Sequence, residues 1–345
     1  DPDVEHFLES QREKGGLDSL VELIDKVKDY RVLIVGDAIL DDYKYVSAIG
    51  KSPKEHIIAT LFGKREVFAG GVFAAANHMA DFCKEVEIVT TIGRDCEYEK
   101  VIINSLRKNV RLRAFRRADM PTTRKTRFID HSYMRKLFEV YYMDDTPTSR
   151  EMEEEIDKII DDRAAEFDLV VVTDFGHGLI TPSMVGTLRR ASKFLAVNTQ
   201  SNSANTGYNL ITKYPSADYI CIDAPEARLA VTDRFSDIEG IASEILPERV
   251  DCPKIVITHG AHGCVGFEKG KGMVRVPAFT KTVVDTVGAG DAFFTVSAPL
   301  VAAGGSMDQI AFVGNAAGAM KVGIIGHRRS IERAPLIKFL TTLLK

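Results

Sequence analysis

No stretch of this chain is apolar for long enough to cross a bilayer as a helix, which takes about 20 consecutive apolar residues. The opening DPDVEHFLES is acidic and polar, unlike a secretory leader. Basic charge is not in excess either: the formal net charge is −4, so nothing in bulk favours nucleic acid or an anionic membrane as a partner. Cysteine is sparse: Cys83, Cys96, Cys221, Cys252 and Cys264 are scattered and form no C-x-x-C pair. They read as buried or incidental thiols of a protein in the reducing cytoplasm, not as a disulfide frame or a metal site. His259 and His262 lack a third ligand nearby and lie among glycines, which reads as a turn. Two fingerprints are missing too. No G-x-G-x-x-G follows the first apolar strand, which demotes a dinucleotide-dependent dehydrogenase. No H-R-D loop accompanies Asp174-Phe175-Gly176, which sets aside a protein kinase.

What is present is an alternation of short apolar runs with helical segments. RVLIVG (Arg31 to Gly36) is rich in β-branched residues and ends in glycine, as a buried strand of a parallel sheet does. Similar runs recur at Val86 to Ile92, Asp168 to Thr173, Phe194 to Val197, Tyr219 to Ile222 and Lys254 to Thr258. The expected fold is α/β, a mainly parallel central sheet with helices on both faces, over residues 31–345. Residues 1–30 read as an N-terminal helical extension or linker, with Leu20, Leu23, Ile24 and Val27 at helical spacing. The stretches 43–68 and 111–143 carry strand patterns in succession without intervening helices. Strands of that kind do not belong in a doubly wound core, so they predict a small separate β-sheet. Asp37 and Asp41 follow the first strand, at the carboxyl end where open α/β sheets bind ligands, and a capping or turn role fits Asp37 better than Asp41.

The chain is organised around Val284-Asp285-Thr286-Val287-Gly288-Ala289-Gly290-Asp291, a glycine-rich turn running into an apolar helix. A helix start leaves backbone N–H groups without intrahelical acceptors and carries partial positive charge. Gly288 and Gly290 let an anion approach that backbone, and Asp291 stands in the first turn beside it. An anion cradle with a carboxylate at its lip suits phosphoryl transfer. An ordinary helix start with an acidic first turn is the plain alternative.

This segment closely resembles the C-terminal signature D-T-x-G-A-G-D of the ribokinase-like (PfkB) carbohydrate kinases, and the likeness extends over roughly residues 30–345. The resemblance implies ATP and Mg²⁺ as cofactors, Asp291 as catalytic base, and the backbone of Gly288, Ala289 and Gly290 as anion hole. It makes the small sheet a lid over the sugar, through which two subunits can pair as a homodimer. It assigns Asp37, Asp41, Gly70, Gly71 and Asn77 to the sugar. Asn198, Thr258, Gly260, Gly263 and Asn315 fall to ATP, with Asp223 and Glu226 near ATP and, through water, Mg²⁺. A monovalent-cation site, for potassium, is implied near Asp285, Thr286 and the turn from Ile324 to Ser330. Within the family, VGDAILDDY and PTTRKTRFID look like motifs of the heptose 7-phosphate kinase branch, some of whose relatives carry a fused nucleotidyltransferase. That likeness predicts a heptose-7-phosphate-like sugar, phosphorylated on its anomeric hydroxyl. Lys125 and Arg127, on one face of a strand by alternation, would grip the distal phosphate. Two departures stand out: NTQSN occupies the place of that branch's Asp-Pro-Lys, and DAPE replaces the family's Asn-x-x-Glu. DAPE also has the spacing of a helix capping box. A non-catalytic sugar- or nucleotide-binding module, and a kinase of neutral sugars or nucleosides, are the competing readings.

Overall fold

The computed structural model describes residues 2–94 and 96–345. The chain opens with two helices, α1 (Pro2–Glu13) and α2 (Gly16–Lys26), before the first strand, β1 (Arg31–Gly36). Strand β2 (Ala38–Lys51) leaves β1 after a single residue and returns as β3 (Ile58–Gly71), followed by α3 (Val72–Ala80). Then come β4 (Glu85–Ile92), α4 (Glu99–Ser105), β5 (Val110–Arg116), β6 (Arg124–Asp130), β7 (Arg135–Tyr142) and α5 (Arg150–Arg163). The next stretch holds β8 (Leu169–Asp174), α6 (Pro182–Ala191), β9 (Leu195–Thr199), β10 (Tyr219–Asp223), α7 (Ala224–Val231) and the short α8 (Ile238–Gly240). It ends with β11 (Lys254–Thr258), β12 (Cys264–Glu268), β13 (Gly272–Val276), α9 (Ala289–Ala302), α10 (Met307–Lys321) and α11 (Arg333–Leu344).

Nine strands form the main sheet in the order β13-β12-β11-β10-β9-β8-β1-β4-β5. Every pairing from β11 to β5 is parallel, while β12 pairs antiparallel with both its neighbours. β1 is buried along almost its whole length, as its unbroken apolar run requires between two helical layers. One apolar core joins α1, α2, α3, α9, α10 and α11 to one face of the sheet; a second lies under α5, α6 and α7 on the other. α9 is the most deeply set helix: Asp291 through Val301 are all buried. A helix apolar on every side can only satisfy itself in this way. The first thirty residues are integrated as well. Leu20, Leu23, Ile24 and Val27 are buried, and the Phe7 ring meets Phe312 edge-on at 5.4 Å.

The second sheet has four strands in the order β3-β2-β6-β7, with β2 and β6 parallel and the other pairs antiparallel. One expectation fails here. Residues 111–116 were assigned to the small sheet, but β5 lies parallel to β4 at the edge of the main sheet. α4 supplies the crossover between β4 and β5. The alternation of VRLRAFR marks a half-exposed edge strand, and such a strand reads alike in either sheet. Cys83, Cys221, Cys252 and Cys264 are buried free thiols, and the Cys96 side chain lies outside the described residues. Among the described residues no helix is long and apolar enough to cross a membrane.

Candidate active site

The carboxyl ends of the parallel strands share one side of the main sheet, and the small sheet rises from that side because β2 departs from the end of β1. A cleft of about 1350 Å³ lies there, reached by Asp41, Gly71, Lys125, Asn198, Asp223, Glu226, Thr258 and the whole 286–291 segment.

At the base of the cleft α9 begins on Gly288, in the left-handed region at φ 75, with no side chain capping it. Within this turn Ala289 N–H donates to the Thr286 carbonyl at 3.3 Å and Val287 N–H to the Asp285 carboxylate at 3.1 Å. A Cβ added at Gly290 would meet nothing within 4 Å, so the space over this turn is open. Asp291 is 6% exposed and accepts a hydrogen bond from the Gln200 amide. Burial pushes its carboxyl above the usual range; His327, Gln200 and Lys321 pull it back, and Asp41 pushes it up again. A carboxylate of raised pKa is a better proton acceptor near neutral pH than an ordinary aspartate.

Opposite lies the floor of the small sheet. Register pairs Asp41 with Lys125 and Tyr43 with Arg127, so alternation brings Asp41, Lys125 and Arg127 to one face. Arg127 pairs with Asp41 and, at 3.1 Å, with Glu139. The His327 Nε2 stands 3.1 Å from the other Asp41 oxygen. Burial raises the Asp41 carboxyl, but Arg127 and His327 outweigh it and hold the group well below the usual range. Asp41 is therefore a carboxylate, charge-compensated yet with lone pairs left for hydroxyls. Among the described residues no hydrogen bond or ion pair engages the Lys125 ammonium. It is 7% exposed, it lies 5.2 Å from the Tyr141 ring centroid, and burial lowers its pKa. The opposite face of β6 is spent on structure: Arg124 and Thr126 bond the fully buried Asp42, which Arg65 also grips from β3.

A family model of pfkB family carbohydrate kinases matches residues 31–334. This chain belongs to that family. Its members are ATP-dependent carbohydrate kinases, which agrees with a cradle, a buried carboxylate and a polar floor facing one cleft. Among curated relatives, "Bifunctional protein HldE" of Pelobacter propionicus is 24% identical over 311 residues, covering 89% of this chain and 63% of that protein. The HldE of Nitratiruptor sp. is 25% identical over 324 residues, covering 90% and 67%. The chain thus spans about two thirds of the length of these relatives. Among solved structures, Escherichia coli phosphofructokinase-2 in complex with potassium superposes with a TM-score of 0.71 at 14% identity, covering 92% of this chain and 100% of that one. Arabidopsis thaliana ribokinase complexed with ribose and ATP gives 0.66 at 18% identity, covering 92% and 99%. These likenesses establish the ribokinase-like fold.

Several residues that the family resemblance assigned to ligands do other work. Asp37 is 2% exposed, and its carboxylate accepts from the backbone N–H groups of Phe175, His177 and Leu179, so it ties the 174–179 loop to the end of β1. Asn77 lies outside the cleft and braces α3 against the end of α4: its amide donates to the Ser105 carbonyl at 2.9 Å and accepts from Arg107 N–H at 3.0 Å. Gly70 makes room, since a Cβ there would collide with the Asp41 carboxylate, whereas Gly71 at φ 54 lines the cleft itself. Arg127 is engaged with Asp41 and Glu139, leaving Lys125 as the free cation of the pair.

Elsewhere along the cleft wall, Asp223 and Glu226 do form the capping box of α7, with reciprocal bonds of 2.8 and 2.9 Å. Burial raises both carboxyls, and their mutual repulsion adds to the rise in Glu226. Asn198 and Asn315 both reach the cleft, the first bonding the Cys221 carbonyl and the second the Pro277 carbonyl, each at 2.7 Å. Thr258, Gly260 and Gly263 line the same cleft, and a Cβ on Gly263 would strike the Val276 carbonyl.

Three contributors went unforeseen. Gln200, inside the departing NTQSN stretch, donates its amide to the Asp291 carboxylate. His327 touches Asp41 across 286 positions of sequence. Helix α1 walls the cleft with His6, Phe7, Ser10 and Gln11. Only the NTQSN departure was a signal available in advance.

Proposed function

We propose that this chain transfers the γ-phosphoryl group of ATP to a hydroxyl of a sugar phosphate, the anomeric hydroxyl of a heptose-7-phosphate-like sugar. The observation that carries the acceptor class is Lys125, a buried ammonium without a carboxylate partner on the floor that faces Asp291 across the cleft. A cation in that condition is stabilised by an anionic ligand. The HldE relatives and the VGDAILDDY and PTTRKTRFID motifs support the heptose phosphate in particular.

In this reading Asp41 accepts hydrogen bonds from sugar hydroxyls, and Lys125 holds the distal phosphate. Asp291 takes the proton of the attacking hydroxyl as its oxygen bonds to phosphorus and the bond to ADP breaks. The N–H groups at Gly288, Ala289 and Gly290 hold the equatorial phosphoryl oxygens, where preorganised donors act most strongly. Asp223 and Glu226 fit Mg²⁺: they are hard oxygen donors set side by side on the cleft wall, and a hard cation would relieve their repulsion while water and phosphate complete its shell. When bound, the ion neutralises phosphate charge. Ile49, Ile58, Leu61, Phe62 and Phe138 of the small sheet are each more than half exposed, which supports a homodimer paired through that sheet. The share of the relatives' length supports a nucleotidyltransferase fused to the kinase in a longer polypeptide.

The test is sugar-dependent ADP release over paired free and phosphorylated sugars. The proposal requires a higher kcat/KM for the phosphorylated member; equal values would make the acceptor a neutral sugar.

A further inference from the structure

The family resemblance implies a monovalent-cation site between the 285–290 segment and the 324–330 turn, and the residues found there do not fit one. Every oxygen the Asp285 carboxylate could offer an ion already accepts a protein donor: Tyr43 O–H at 2.7 Å, the Lys136 ammonium at 2.8 Å, Gly326 N–H at 2.8 Å and Val287 N–H at 3.1 Å. Two backbone carbonyls, one from each segment, are taken as well. Lys321, at the end of α10, is 0% exposed, and its Nζ donates to the Val287 and Gly326 carbonyls, each at 2.7 Å. Its stem runs beneath the start of α9, since a Cβ on Gly288 would lie 3.4 Å from Lys321 Cε.

We propose that the Lys321 ammonium takes the place of the monovalent cation, so that this kinase carries its activating charge covalently and needs no potassium. The substitution is chemically even. An alkali ion is held by carbonyl oxygens that replace its hydration water, and a buried ammonium asks for the same acceptors. Val287 immediately precedes the cradle, and Gly326 immediately precedes His327, the partner of Asp41. One charge thus fixes the segments that bracket the transfer site. Burial lowers the Lys321 pKa, and the carboxylates of Asp285, Asp291 and Asp41 offset part of that in favour of the charged amine.

This inference rests on the kinase reading for its consequence in catalysis, though not for its structural content, so the experiment has two readouts. In matched-ionic-strength potassium and tetramethylammonium buffers, the parent is expected to show the same thermal midpoint and the same kcat. Lys321→Ala opens the carbonyls to an outside ion. It should lose about 10²-fold in kcat, the scale of a misplaced reacting group. Potassium or ethylammonium should then raise both its midpoint and its kcat. A parent midpoint that climbs with potassium, or a variant as active as the parent in tetramethylammonium, overturns the proposal. If no sugar is turned over at all, the kinase reading fails while the midpoint comparison still decides this one. If Lys321→Ala does not fold, Lys321→Met and the parent's own potassium response decide it.

Discussion

The two ends of the cleft are built by different means. One end, the proposed transfer end, is a run of eight consecutive residues, Val284 to Asp291, whose character comes from backbone conformation: a left-handed Gly288, an uncapped helix start and a carboxylate in its first turn. The other, the proposed acceptor end, is an assembly of side chains brought together over long distances, with Asp41 meeting Arg127 across 86 positions and His327 across 286. A backbone device is specified locally and tolerates little; an assembled floor is specified by sheet register and can be altered one group at a time. Substitutions at the first end should abolish turnover, and those at the second should change which sugar is turned over.

The largest effect short of the base itself is expected from Gly290→Val. The position is open in the folded chain, so the thermal midpoint should hold while the added methyls fill the phosphoryl site; kcat/KM should fall by about 10²-fold or more. A parallel loss of midpoint would show that the turn has a packing role instead. Lys125→Ala comes next. Loss of one charge-assisted contact, about 1.5–3 kcal/mol, corresponds to roughly 10- to 150-fold. It should appear as a higher KM for the phosphorylated sugar with the free sugar unaffected. A uniform loss for both sugars would assign Lys125 to the architecture of the small sheet. Glu226→Gln should raise the Mg²⁺ concentration at half-maximal rate several-fold, by removing one hard ligand on the scale of about 1 kcal/mol. An unchanged titration leaves Glu226 as a cap alone. Asn77→Ala should have the smallest kinetic effect. It strands two backbone groups and should lower stability by about 1–3 kcal/mol, and any rise in sugar KM would return Asn77 to the site.

The same contrast explains what could be read from the sequence. The alternation of apolar strands and helices, the D-T-x-G-A-G-D match and the alternation of Lys125 and Arg127 all depend on neighbours in the chain. Each was visible before any coordinates. The role of Asn77 and the partners of Asp37 were not, because family position names a residue while long-range packing decides what it touches: the Asp37 carboxylate is consumed by a loop more than 130 positions away. β5 was misplaced because a half-exposed edge strand looks alike in either sheet. Lys321 was invisible for a different reason. A lysine near the end of an apolar helix reads as a solvated terminus, and only the fold turns it inward onto two carbonyls.

The central claim is that Asp291 removes the acceptor's proton at an anion-holding helix start. It is tested most directly by the pH dependence of kcat/KM for the phosphorylated sugar, measured on the parent and on Asp291→Asn with ATP affinity followed alongside. The working form is the carboxylate, and burial raises its pKa above that of an ordinary aspartate, about 3.9. Activity should therefore fall as the pH drops through an ionisation above that value and be full on its alkaline side. Asp291→Asn should retain ATP affinity, lose about 10²–10⁴-fold in rate and lose that acid limb. A variant that keeps more than half the parent's rate, or the same acid limb, would contradict the assignment.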